Sequence, residues 1–287
     1  MIATRTKQLQ SVISSIQKLY PISYADNTWD NTGLLVDSST SEYLDAVSPQ
    51  FRILLTVDLT QSVADEAIAK RSNLILAYHP FIFRGLKAIV PSDPQQKSLI
   101  KLIQSGISVY CPHTAIDAAE GGVNDWLAEG ISNGGLNIAS KRVIEPNSEV
   151  GNVGMGRFLE LKDAISLQDA INLVKKDLKL EHVQVATNGF GRKDEKSITT
   201  VAICAGSGGG VFKNVKADLY YTGELSHHEA LYYKECGSHV IVCNHSNTER
   251  GFLHRLKEQL SEEFIKGGLL SVEMLISQED RDPYKIV

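Results

Sequence analysis

Apolar, strand-like runs alternate with helix-period segments along most of the chain, and this alternation limits the fold more than any other feature. "FRILLTV" (51–57) precedes "QSVADEAIAKR", "NLILAY" (73–78) precedes "QQKSLIKLIQ", and "ISVY" (107–110) precedes "GGVNDWLAEG". Succession of this kind builds an α/β protein with a largely parallel sheet covered by helices. The theme returns after two Gly- and Asn-rich stretches, "SNGGLN" (132–137) and "VGNVGMGR" (150–157). There "SLQDAINLVKKDL" reads as a helix with Ser166 and Asp169 as a capping pair, followed by the strand-like "HVQVAT", "ITTVAICAG" and "HVIVCN". Two α/β lobes are expected, with a seam between Glu129 and Gly156: a first lobe over 1–130 completed by 240–287, and a second over 131–239. At 287 residues and 43% hydrophobic the chain has the apolar material for full cores.

Charge and cysteine usage then remove several classes of function. The net charge is -5 and no basic stripe appears, which excludes binding that works by neutralising nucleic-acid phosphates, so no direct nucleic-acid partner is expected. Cys111, Cys204, Cys236 and Cys243 form no Cys-x-x-Cys pair, so neither a disulfide framework nor a cysteine zinc knuckle is indicated and a reducing compartment fits. No apolar run approaches the ~18 residues of a membrane span. A soluble cytoplasmic protein without a membrane partner is expected. The first acid is Asp26, and Arg5, Lys7 and Lys18 precede it, which is also the composition of a mitochondrial transit segment. Against that, Leu9, Val12, Ile13, Ile16 and Leu19 make one apolar face, the pattern of a first helix of the fold.

Four strand-like runs end in polar residues: Asp58, His79, His113 and His245. Ligands in open α/β sheets bind beyond the carboxyl ends of strands. Two of the histidines have a carboxylate four residues on, His113 with Asp117 and His245 with Glu249, and i,i+4 positions share a face if the chain turns helical. A lone histidine after a strand is usually structural, whereas two occurrences of one ligand-capable spacing point to a metal. Imidazole with carboxylate suits zinc, iron(II) or manganese. Two other motifs fail on spacing. "HHEALYY" has Tyr232 four residues after His228, where a zinc-protease helix needs histidine, and "AGSGGGV" places Val211 at the third glycine of a dinucleotide loop. Gly206, Gly208, Gly209 and Gly210 therefore read as a tight strand-to-helix turn whose amides could take an anion. No nucleophile elbow or P-loop is present.

The segments "TWDNTGLLVD", "LILAYHPFIF", "CPHTAIDAAEGGVNDWLAEG", "GMGR", "CAGSGGGV", "ADLYYTGELSHHEAL" and "NHSNTERGFL" resemble, in this order, the Nif-three-like family (NGG-one-interacting factor three), also called the GTP cyclohydrolase I type two family. The chain is similar to the compact eukaryotic branch, without an inserted third domain. The resemblance implies two similar α/β lobes with mixed, largely parallel sheets flanked by helices, facing each other over a dinuclear metal site, in a toroidal homohexamer. It carries over His79, Asp117, His245 and Glu249 as metal ligands, with His113 as a further ligand or as a residue orienting one. Tyr78 stands where bacterial relatives have histidine. A phenol with a pKa near ~10 is a poor ligand, so one or two divalent ions per subunit are expected. Glu224 and His228, in "TGELSHHEA", are implied for proton transfer or substrate contact, with a helix cap as the alternative. Trp29, Asp30, Asn31 and Gly33 read as a polar turn leading into a strand. The function implied is a metal-dependent hydrolase of a nucleotide-like or phosphoester substrate. The alternatives are an interaction protein with a transcription-related partner, and a metal store.

Overall fold

The computed structural model describes residues 4–39, 50–148, 150–189 and 196–287. Described side chains begin at Lys7, so that of Arg5 lies outside them. In chain order the elements are α1 (Thr4–Leu19), β1 (Gly33–Val36), β2 (Phe51–Thr56), α2 (Gln61–Ala69), β3 (Leu74–Ala77), α3 (Pro94–Gln104), β4 (Ser108–Cys111), α4 (Thr114–Ala118) and α5 (Val123–Ile131). There follow β5 (Ile138–Pro146), β6 (Gly154–Ile165), α6 (Leu167–Leu178), β7 (Gln184–Ala186), β8 (Ile198–Ser207), β9 (Leu219–Glu224), α7 (His227–Glu235), β10 (His239–Val242), α8 (Phe252–Lys266) and β11 (Val272–Ile276). The chain is a mixed α/β protein with two sheets. It divides into two compact units, Met1–Ile116 with Leu253–Arg281, and Asp117–Phe252 with Asp282–Val287.

In the first unit the strand order is β1-β4-β3-β2-β11, with β4, β3, β2 and β11 mutually parallel and β1 antiparallel on the edge. All four residues of β3 are buried, which is why "LILA" reads as a continuous apolar run rather than an alternation. Helix α2 starts where the Thr60 side chain accepts from Val63 N, and α3 where Asp93 accepts from Gln96 N with proline at the first helical position. On α1 the apolar face buries Leu9, Val12 and Ile16, with Ile13 and Leu19 half-buried.

The second unit has the order β5-β6-β8-β9-β10-β7. Its centre, β8, β9 and β10, is parallel, while β5, β6 and β7 join antiparallel. Helix α6 begins at the Ser166–Asp169 capping box that the sequence signals, and α7 at a second one, Ser226 with Glu229. The glycine-rich segment after β8 differs from expectation. Residues 209–214 form hydrogen-bonded turns, with Phe212 N bonded to Gly208 O and Val215 N to Phe212 O, and β9 follows without a helix. Glycine costs about 1 kcal/mol per position in a helix, and buried Phe212, packed on Tyr220 and Tyr233, pins the turn instead. The amides of Gly206 and Gly208 are engaged by Thr248 Oγ1 and Glu224 O, so they do not form an anion cradle.

Helix α6 packs Asp177 against α5 so closely that a Cβ on Gly130 would lie 2.1 Å from Asp177 Oδ2. Burial, then the neighbouring Glu129 charge, raises the Asp177 carboxyl from 3.8 to about 6. The folded state thus binds this proton more tightly than the unfolded chain. Its contribution to stability is complete below pH 3.8 and is lost as pH rises through about 6. Asp177→Asn removes that slope: the urea midpoint of the variant should gain on wild type between pH 4 and 6 and stay ahead at pH 7, whatever other carboxylates do to both proteins.

Candidate metal centre

Strands β2, β3 and β4 are parallel neighbours, so the residues that follow them emerge at one end of the first sheet. The ladder runs on past β3, with Tyr78 N bonded to Thr56 O at 2.9 Å and His79 N to Val57 O at 3.1 Å, which fixes the backbone beneath His79. The His79 ring donates from Nδ1 to Asp58 Oδ1 at 2.9 Å, the tautomer that carries its lone pair on Nε2. His113 adopts a left-handed φ of 31° just ahead of α4 and donates from Nδ1 to Asp30 Oδ1 at 2.7 Å. Burial would raise Asp30, but hydrogen bonds from His113 and Thr114 and the His113 charge outweigh it and hold the carboxyl below its ordinary range. The rings of Tyr78 and His113 stand edge-on to His79 at 5.4 and 5.6 Å, and Tyr78 is buried.

The second unit repeats the device. Glu224 ends β9, and His245, three residues beyond β10, donates from Nδ1 to Glu224 Oε1 at 2.9 Å. The pairs Asp58–His79 and Glu224–His245 are each separated by 21 residues. In both cases a nine-residue helix joins two adjacent parallel strands, the acid follows or ends the first and the histidine follows the second. The i,i+4 partner of His245 is brought to it by a 3-10 turn, His245–Thr248, rather than an α-helix, and Nε2 lies 3.4 Å from Glu249 Oε1. Glu249 is buried beside this imidazole.

Two glycines make room for the arrangement. Gly206, with φ 62°, donates its N–H to Thr248 Oγ1 at 2.9 Å, and a Cβ there would lie 2.8 Å from Glu249 Oε1 and 2.9 Å from His245 Nε2. A Cβ on Gly223 would meet the Gly206 carbonyl at 2.6 Å and His245 Cα at 2.8 Å.

Of the other residues singled out by sequence, Asp117 lies buried on α4, in the second unit. His228 is exposed in the first turn of α7, its ring edge-on to His227 at 5.2 Å, while the cap of that helix is Ser226. Glu224 is the hydrogen-bond partner of His245. Sequence reasoning missed Asp58 and Asp30 as imidazole partners; the equal 21-residue separations could have exposed the first. It also missed Arg157, the last residue of "GMGR". This buried guanidinium donates to Asp125 Oδ1 at 2.7 Å and to the carbonyls of Gly154, Gly156, Ala118 and Ala119, holding the backbone just past Asp117. Burial pushes the Cys111 and Cys204 thiols well above the usual range and that of Cys243 up to about 12.

By donor chemistry His79, His245 and Glu249 are candidate metal-binding residues. Two imidazoles and a carboxylate suit zinc, iron(II) or manganese. Among the described residues no helix is long and apolar enough to cross a membrane.

Comparison with known proteins agrees in sequence and in fold. The family model Duf34/NIF3 (NGG1p interacting factor 3) matches residues 7–283. The chain is 49% identical to the Saccharomyces cerevisiae protein "NGG1-interacting factor 3", covering 97% of each, and 31% identical to Homo sapiens "NIF3-like protein 1", covering 97% of this chain and 92% of the relative. Its fold is similar to that of a Bacillus cereus protein related to NIF3, at TM-score 0.81 and 22% identity over 97% of this chain and 98% of that one. It is also similar to reduced HcgD from Methanocaldococcus jannaschii, at TM-score 0.73 and 24% identity over 94% and 97%. The chain belongs to the Duf34/NIF3 family.

Proposed function

We propose that the chain is a divalent-metal-dependent hydrolase acting on a nucleotide-like or phosphoester substrate. The observation that carries this reading is the buried Glu249 carboxylate 3.4 Å from the Nε2 of an imidazole whose Nδ1 is committed to Glu224. His79, His245 and Glu249 hold the ion, and Asp117 and His113 bring further donors that serve one or two ions per subunit. A bound divalent metal supplies Lewis acidity, which lowers the pKa of water from ~15.7 toward neutrality. Asp58 and Glu224 fix their imidazoles in the tautomer that exposes Nε2, and Glu224 with exposed His228 moves or holds a proton beside the reacting group.

The test begins with protein purified without chelator, its metal content measured by plasma mass spectrometry. His245→Ala should lower metal affinity at least ~10-fold, the range found for lost site residues. Turnover across a panel of nucleotides and phosphoesters should vanish in Glu249→Gln. A metal-free preparation whose weak binding is unchanged in His245→Ala would overturn the proposal.

A second reading, a metal-binding interaction protein with a transcription-related partner, is favoured by the name of the 49%-identical relative and by Tyr78 in place of a ligand-type residue. It predicts that Glu249→Gln keeps partner capture, and that no substrate in the panel turns over. The toroidal homohexamer belongs to the same proposal and is read by sedimentation velocity.

A further inference from the structure

Two aromatic side chains of the first unit remain exposed next to its histidines. Trp29 is 50% and Phe83 46% exposed, their ring centroids 6.1 Å apart and their planes inclined at 50°. Apolar rings left open to water forgo hydrophobic stabilisation, so a pair fixed in an open wedge calls for an occupant. Fixed it is. The indole N–H donates to Asp26 Oδ2 at 2.8 Å, and the indole edge meets the His113 ring at 5.7 Å and 85°. The Asn31 side chain donates to the carbonyl of Ile82, tying the turn that carries Trp29 to the segment that carries Phe83. Asp26 accepts the indole bond as a carboxylate: burial would raise it, but hydrogen bonds from Thr28 and Trp29 hold it below its ordinary range.

A rigid aromatic surface binds a flat ring at little cost in conformational entropy, and it is indifferent to the identity of the ring because every base has a π-face. Charge on the same segment narrows the ligand further. Arg84 and Lys87 follow Phe83 within an exposed stretch, 83–92, that has no helix or strand. A flat ring against Trp29 and an anion beside these cations describe a nucleotide, and the wedge adjoins His113, whose ring in turn adjoins His79. We propose that Trp29 and Phe83 form the base-stacking subsite for a nucleotide, with Arg84 and Lys87 serving its phosphate. This deepens the nucleotide-like reading above and rests on it for the reacting end of the ligand. The stacking itself stands on the wedge.

The experiment is equilibrium binding of AMP, GMP, ribose 5-phosphate and inorganic phosphate to the full chain, in EDTA and again with added manganese, followed by tryptophan fluorescence and by dialysis. AMP and GMP are expected to quench emission that is missing from Trp29→Leu, and ribose 5-phosphate to bind far more weakly without quenching. Trp29→Leu and Phe83→Leu should each weaken nucleotide binding roughly ten- to hundred-fold, the range for losing one stacking partner, while Trp29→Tyr retains most of it. Manganese binding should be unchanged in all three variants. Equal binding of AMP and ribose 5-phosphate, or unaltered binding in Trp29→Leu, would overturn the inference. So would intact nucleotide binding with a lowered sedimentation coefficient in both leucine variants, which would assign the wedge to contact between copies of the chain. The outcomes separate from those for the metal: quenching that persists in His245→Ala supports the subsite even where the metal reading fails.

Discussion

Arg157→Ala is expected to destabilise the protein by about 3–5 kcal/mol, the cost of leaving one member of a buried ion pair without its partner. The side chains of Arg157 and Asp125 are 3% and 2% exposed and meet at 2.7 Å. Lys141, 2.9 Å from Asp125, is more exposed and replaces only part of the lost charge. The truncation also removes a buried donor from four backbone carbonyls, those of Gly154, Gly156, Ala118 and Ala119. Urea unfolding followed by far-UV circular dichroism measures the loss. Arg157→Lys should recover little of it, because a single ammonium cannot reproduce a planar fork that reaches five acceptors. The pair of changes Arg157→Met with Asp125→Leu should cost less than Arg157→Ala alone, since neither charge is then stranded. If Arg157→Ala unfolds at the wild-type urea concentration, the guanidinium is not what holds the backbone after Asp117.

Gly206→Ala carries the second large effect, directed at the metal. The added methyl would sit 2.8 Å from Glu249 Oε1 and 2.9 Å from His245 Nε2, closer than such atoms approach, and the left-handed φ of 62° disfavours any side chain. Relief requires the carboxylate and imidazole to part, so metal affinity should fall by about 10–100-fold in a competition titration against a chromophoric chelator. Gly210→Ala is the control. Its Cβ would meet nothing within 4 Å, so the same titration should be unchanged. Equal affinities for the two variants would remove Gly206 from the proposed metal site.

Most of the fold was legible because burial leaves a local trace. β3 is apolar throughout since both its faces are covered, and α6 opens on Ser166 and Asp169 because the first amides of a helix need acceptors. The turn after β8 was not legible in this way. Its glycines fit several backbones, and the burial of Phe212 against Tyr220 and Tyr233, a contact between distant residues, chose among them.

The same division holds at the candidate site. His79 and His245 could be read as polar residues following apolar strands, and the four-residue step from His245 to Glu249 stood in plain view. Nothing local showed that Asp58 would meet His79 or that Glu224 would meet His245. Those bonds form across neighbouring parallel strands joined by a helix, and they depend on register and on the length of the crossover. The sequence by itself determined the α/β class, the strands and the chemical types of residue at their carboxyl ends, because periodicity and residue type are local properties. Only the tertiary structure decided which carboxylate orients which imidazole, that Arg157 anchors the backbone past Asp117, and that Gly206 must lack a side chain, because each is a distance between atoms far apart in the chain.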